Sequence, residues 1–109
     1  MILSDINEKI LKQIKFYAQS KPKEESCGVI ACRNEQLFFL PCANLSPFKE
    51  KYFLINPRIL IEYDVKFIYH SHVKSSSMPS GADIKNYENI LIPFLIYSLR
   101  DDDFYIYKK

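Results

Sequence analysis

The amino-acid sequence predicts an α/β domain of the α+β kind, with a mixed β-sheet packed between two or three helices. Three observations predict it. Hydrophobic residues make up 48% of the 109 positions and aromatic residues 15%, against 2 Gly and 6 Pro, which is the composition of a packed core and not of a disordered chain. Helical and strand-like apolar patterns both occur, and they alternate irregularly, without the regular βαβ rhythm of a doubly wound sheet. No linker or internal repeat interrupts residues 1–109, so a single domain accounts for the whole sequence.

The elements follow in order. Ser4 and Asp5 can cap a first helix, with Glu8 in the capping-box position relative to Asp5. Ile6, Ile10, Ile14 and Tyr17 then recur at helical spacing, joined by Leu11 and Ala18, until "SKPK" ends the helix near Ser20. Residues 27–32 (CGVIAC) and 37–40 (LFFL) read as two strands joined across a polar turn at 33–36. Residues 51–56 (KYFLIN) read as a third short strand. Asn56 and Pro57 then open a short helix through Ile61, as cap and first helical residue. Residues 65–72 form the next strand, a loop runs to Pro79, and a second substantial helix begins at Ser80 and stops before Pro93. Residues 94–98 (FLIYS) and 104–107 (FYIY) close the chain as a hairpin.

Composition and charge narrow the function classes. The formal charge is only +2, and the lysines are interleaved with acids from Lys9 to Lys109, a solvated surface and not a nucleic-acid stripe. No basic segment followed by an apolar run opens the chain, so no signal peptide is expected. The longest apolar stretch, residues 90–99, is broken by Pro93 and is too short to span a bilayer. Cys27, Cys32 and Cys42 are odd in number and lack a CxxC spacing, so buried, reduced thiols and a cytoplasmic location are expected. No Gly-rich phosphate loop is present, which leaves nucleotide binding unsupported.

The chemistry concentrates in residues 68–83, IYHSHVKSSSMPSGAD. His70 and His72 are the chain's two histidines. At positions i and i+2 of a strand they project from one face, with Ser71 on the other. Two imidazoles side by side suit zinc, and a catalytic zinc site takes three protein ligands and leaves one position open. Asp83, on the first turn of the following helix, is the natural third ligand. Taken singly, each part has a bland account, because a histidine pair can be polar surface and Ser80-x-x-Asp83 is itself a capping box. Their convergence on one strand, one loop and one helix start favours a metal.

His70-Ser71-His72, seven residues, Ser80, two residues and Asp83 match H-x-H-x7-S-x2-D, and so this chain resembles the JAB/MPN metalloprotease domain, whose signature is the JAMM motif. That signature has a distant partner, a glutamate three residues before a glycine, and PKEESCGVI supplies it as Glu25 and Gly28. The resemblance covers most of the chain and implies a curved mixed sheet flanked by helices. It implies one Zn²⁺ per chain held by His70, His72 and Asp83, with Glu25 as general acid/base and Ser80 as hydrogen-bond donor to the oxyanion. Glu24 fails the spacing and is expected to be a surface acid. Cys27 belongs to core packing, because nothing positions it against a histidine as a Cys/His hydrolase would need.

Val73 stands where the family usually has proline after the second histidine, a change that removes no ligand. The chain has no room for the inserted loops that grip ubiquitin in eukaryotic relatives. Its ending, ENILIPFLIYSLRDDDFYIY, is similar to the prokaryotic branch found in phage tail-assembly proteins, without the cell-wall-hydrolase domain that often accompanies them. The resemblance therefore implies a zinc-dependent peptidase or isopeptidase of the phage or prophage tail-assembly type, acting on a protein or peptide, cytoplasmic or virion-associated. No nucleic-acid or membrane partner is expected. The alternatives are processing of a ubiquitin-like or sulfur-carrier protein and a non-catalytic MPN-type scaffold. The scaffold is the weakest, because all five motif positions are intact.

Overall fold

A computed structural model describes residues 5–109. Among these, the elements run α1 (Glu8–Gln19), β1 (Cys27–Arg33), β2 (Gln36–Cys42), α2 (Arg58–Glu62), β3 (Asp64–His72), α3 (Gly81–Ile90), β4 (Phe94–Ser98) and β5 (Asp103–Tyr107). The strands form a five-stranded mixed sheet in the order β2-β1-β3-β4-β5. β3 and β4 are parallel, and the other pairs are antiparallel. The parallel pair needs a crossover, which α3 provides. The mixed sheet flanked by helices is as the sequence predicts.

Strand alternation divides the core between the two faces of the sheet. On one face, Ile10, Ile14 and Ala18 of α1 meet Ile30, Phe67, Tyr69, Leu95 and Tyr97. On the other, Val29, Ala31, Ile68, Phe94 and Ile96 pack with Tyr87 of α3, and Ile59 and Leu60 of α2 lie against them. His70 and His72 continue the Ile68 side of β3, and Ser71 continues the Tyr69 side. The hairpin turn between β1 and β2 places Asn34 and Glu35 at φ 51° and 64°, the two left-handed residues that match the twist of the flanking strands. Gly28 has a steric reason: a Cβ there would lie 2.6 Å from the Leu40 carbonyl oxygen and 2.8 Å from a Phe39 ring carbon.

Three local expectations are corrected. The first helix is capped by Asn7, whose Oδ1 accepts from the Ile10 N–H at 2.9 Å, and not by Asp5, which lies in a preceding turn; Ser4 lies outside the described residues. Residues 51–56 are not a strand. The Asn44 carboxamide takes the place of a ladder there, donating to the Tyr52 carbonyl at 2.9 Å and accepting from the Leu54 N–H at 3.1 Å. The short helix begins at Arg58 with Pro57 as its flanking residue, although the Asn56 Oδ1 still accepts from the Arg58 N–H at 3.1 Å. Among the described residues, no helix is long and apolar enough to cross a membrane.

Candidate metal centre

β3 delivers the two imidazoles, and the first turn of α3 delivers the carboxylate. Ser80 is the N-cap of α3: its Oγ accepts from the Asp83 N–H at 3.1 Å, and its own N–H donates to Asp83 Oδ2 at 2.9 Å. This reciprocal capping box fixes the carboxylate against β3. One ligand atom from each of His70, His72 and Asp83 lies within 4.8 Å of the others, and all three residues are buried. Among the described residues they are the one group of this kind.

His72 Nδ1 lies 2.6 Å from the Ser76 carbonyl oxygen, which can only accept, so this nitrogen carries a proton. Its Nε2 points at Asp83 Oδ2, 2.9 Å away. With a neutral ring, two lone pairs would face each other. The contact is favourable only when Nε2 is protonated or when both atoms share a cation. An outer-nitrogen bond to a carbonyl is also the usual support of a metal-ligating histidine.

His70 is fully enclosed, stacked on Phe53 with ring centroids 4.3 Å apart and edge-on to Phe94 at 5.7 Å. Its Nε2 is 3.0 Å from Asp83 Oδ1, but neither ring nitrogen has a hydrogen-bond partner. The distance is short, yet the atoms are not aligned as a hydrogen bond, and the alignment decides. A buried, unsatisfied ring nitrogen aimed at a carboxylate and a second imidazole is what a metal ligand looks like without its ion. The set of two nitrogens and one carboxylate oxygen also suits zinc chemically. The residues fit the metal.

Electrostatics agree with this geometry. Burial pushes the His70 pKa down, keeping the ring neutral. Burial also opposes protonation of His72, but the Asp83 carboxylate and the Ser76 carbonyl hold its pKa above the ordinary value. Asp83 would be raised by burial, yet both imidazoles and the Ser80 N–H hold it well below the usual carboxylate range.

Glu25 lies at the entrance to β1 and is only 7% exposed. Its N–H donates to the Lys49 carbonyl at 2.6 Å, and its carbonyl accepts from Asn44 Nδ2 at 2.8 Å. Burial pushes its carboxyl up to about 8, with His72 lowering it and Asp83 raising it. Glu25, His72 and Ser80 line one groove of about 720 Å³. Glu24 is instead paired with Lys21 at 3.9 Å, near the surface as expected. The Cys27 thiol is buried and pushed up to about 12, so it is no nucleophile near neutral pH. Another groove, about 730 Å³ around Phe16 and Phe39, includes none of these groups.

Sequence reasoning missed the supporting side chains. Ser71 faces away from the histidines, and its Oγ accepts from the Ser26 N–H at 2.9 Å and from the Ser26 Oγ at 3.0 Å. The Ser71 N–H donates to the Ser26 carbonyl at 2.9 Å, and the Ser26 and Tyr69 hydroxyls are 2.6 Å apart. The residue between the two histidines is thus tied to the residue after Glu25. Phe53 and Asn44 were missed with it; the asparagine inside the apolar run PCANLSP was the only available signal.

Comparison with known proteins places this geometry. Residues 7–106 match the family described as prokaryotic homologs of the JAB domain. Tail tip assembly protein K of Escherichia phage N15 is 28% identical over 102 residues, which cover 90% of this chain and 42% of that protein. The chain thus spans under half the length of that relative. Two solution structures share the fold at 18% identity. One, from Desulfitobacterium hafniense, has a TM-score of 0.66 and covers 92% of this chain and 78% of its own. The other, from Salinibacter ruber, has a TM-score of 0.62 with 94% and 79% covered. With all but the extreme ends of the sequence matched and the JAMM spacing folded into a single buried cluster, this chain belongs to the prokaryotic JAB-domain homologs.

Proposed function

We propose that this chain is a zinc-dependent peptidase or isopeptidase, with His70, His72 and Asp83 as ligands, Glu25 as general acid/base and Ser80 as oxyanion donor. The observation that carries the reading is the buried His70–His72–Asp83 cluster, whose His72 lines one groove together with Glu25 and Ser80. Zinc held by these three residues would supply Lewis acidity for water activation and carbonyl polarisation. The chain's own groups supply the rest. Glu25, which lines the same groove as His72 and Ser80, is placed to take a proton from the attacking water and pass it to the leaving amine. The Ser80 hydroxyl accepts from the Asp83 N–H through a lone pair, which leaves its proton free for a developing oxyanion. The cap and the catalytic role are compatible in one hydroxyl.

The tail tip assembly relative supports a phage structural protein as the target and a virion-associated or cytoplasmic setting. The test combines metal content with hydrolysis of a panel of peptides and ubiquitin-like fusions. Wild type should carry one zinc per chain and cleave at least one substrate. Glu25→Gln should keep the zinc and lose most turnover, whereas Glu24→Gln should be close to silent. Zinc-loaded protein that cleaves nothing in the panel points to the scaffold reading, and a fully active Glu25→Gln variant removes Glu25 from the mechanism.

A further inference from the structure

We propose that the groove selects acidic peptide segments, so that the substrate carries aspartate or glutamate beside the scissile bond. This rests on the peptidase reading and narrows its substrate class. Lys23, Lys51 and Lys74 line the groove that holds Glu25, His72 and Ser80. They come from three separate connections, α1 to β1, β2 to α2 and β3 to α3, which the fold brings to one rim. All three are exposed, and among the described residues none of them makes an ion pair. Glu50 is the one exposed acid on that rim.

Three unneutralised ammonium groups around one concavity create a local positive potential on a chain whose overall charge is only +2. An extended peptide entering the groove passes within reach of this rim before its carbonyl meets the metal ligands. A nucleic acid fits less well, since no Phe, Tyr or Trp lines the groove to stack a base. Acidic side chains gain from the lysines and basic ones are repelled, which is specificity by both attraction and exclusion.

The experiment measures binding separately from cleavage. Zinc-loaded Glu25→Gln protein is titrated with three fluorescein-labelled hexapeptides that share one scaffold and carry aspartate, asparagine or lysine at the same positions. The aspartate peptide should bind roughly tenfold more tightly than the asparagine peptide at low salt, a few exposed charge contacts together. That difference should collapse in 1 M salt, where the Debye length is about 3 Å. The combined Lys23→Gln, Lys51→Gln and Lys74→Gln changes should abolish the preference, and Lys85→Gln, on α3 and outside the groove, should keep it.

Equal binding of the aspartate and asparagine peptides overturns the proposal, as does an equal loss on Lys85→Gln. Tighter binding of a single-stranded oligonucleotide than of the aspartate peptide also overturns it. Wild-type turnover on the same peptides separates the two levels. Cleavage without charge preference sinks only the acidic selection, whereas preferential binding without cleavage of any peptide sinks the peptidase reading and leaves the selection standing.

Discussion

Asp83→Asn tests the metal centre with the smallest change of shape. In the wild type, Asp83 Oδ2 accepts from the Ser80 N–H at 2.9 Å and faces His72 Nε2 at 2.9 Å, while Oδ1 lies 3.0 Å from His70 Nε2. A carboxamide keeps the volume and can still accept from the Ser80 N–H, and its NH₂ can face His70, whose ring is neutral. The metal-free variant therefore loses mainly the charge-assisted contact with His72, on the order of 1.5–3 kcal/mol below neutral pH. It also loses the negative charge that a divalent ion needs. Zinc at a hundredfold excess over its Kd stabilises a protein with the site by about 2.7 kcal/mol. For a domain of this size that is a Tm rise of roughly 10–15 °C. The assay is thermal unfolding of wild type and Asp83→Asn, each with chelator and with zinc. Wild type should show the rise and Asp83→Asn should show almost none. An equal rise in both proteins, or none in the wild type, refutes the assignment of Asp83 and the reasoning from its contacts.

Three further outcomes follow from the same geometry. The folded pKa of Glu25, about 8, lies above its ordinary value of 4.5, so its contribution to stability is complete below 4.5 and is lost as pH rises toward 8. The lowered pKa of His70 opposes this slope below 6.5, and the raised pKa of His72 adds to it above 6.5. Urea unfolding of metal-free protein should thus show stability falling across that window, and Glu25→Gln should flatten the slope. Ser80→Ala should cost about 1 kcal/mol of stability, and Ser80→Asp should restore it as an equal cap. Turnover should fall on the order of 10²–10³ in both variants with zinc retained, since neither side chain donates; wild-type turnover in Ser80→Asp would leave the serine as a cap alone. Gly28→Ala should destabilise by roughly 1–3 kcal/mol, read by denaturant midpoint, because the Leu40 carbonyl at 2.6 Å is backbone and cannot move aside.

The His70–His72–Asp83 cluster was legible in the sequence because its geometry is local. His70 and His72 share a face by strand alternation alone, and Asp83 is placed by a capping box that the residues 80–83 spell out. Hydrophobic alternation likewise located β1, β3, β4 and α1 to within a residue or two. What failed was context. KYFLIN has the composition of a strand, but its polar groups are taken by the Asn44 side chain, a contact across eight to ten residues that no local pattern records. Asn7, not Asp5, is the first cap, and Ile6 just before it is buried against the core. Phe53 over His70 could not be read either, since it comes from that misread segment.

The alternation of β3 does more than point two imidazoles at the Asp83 carboxylate. His70 and His72 turn toward α3, and Ser71 between them turns toward α1 and ties itself to Ser26 by three hydrogen bonds of 2.9, 2.9 and 3.0 Å. Ser26 directly follows Glu25, whose own N–H and carbonyl are held by Lys49 and Asn44. The Glu25 segment is therefore placed by backbone and hydroxyl contacts that include no side chain of the His70–His72–Asp83 cluster. One strand thus positions both the His70–His72–Asp83 cluster and the Glu25 segment, through opposite faces. Among the described residues the Ser71 Oγ is the one acceptor of the Ser26 N–H, so losing it would leave a buried donor unsatisfied in the segment that carries Glu25. A single three-residue run thus serves two supports, the imidazole pair on one face and the Glu25 segment on the other.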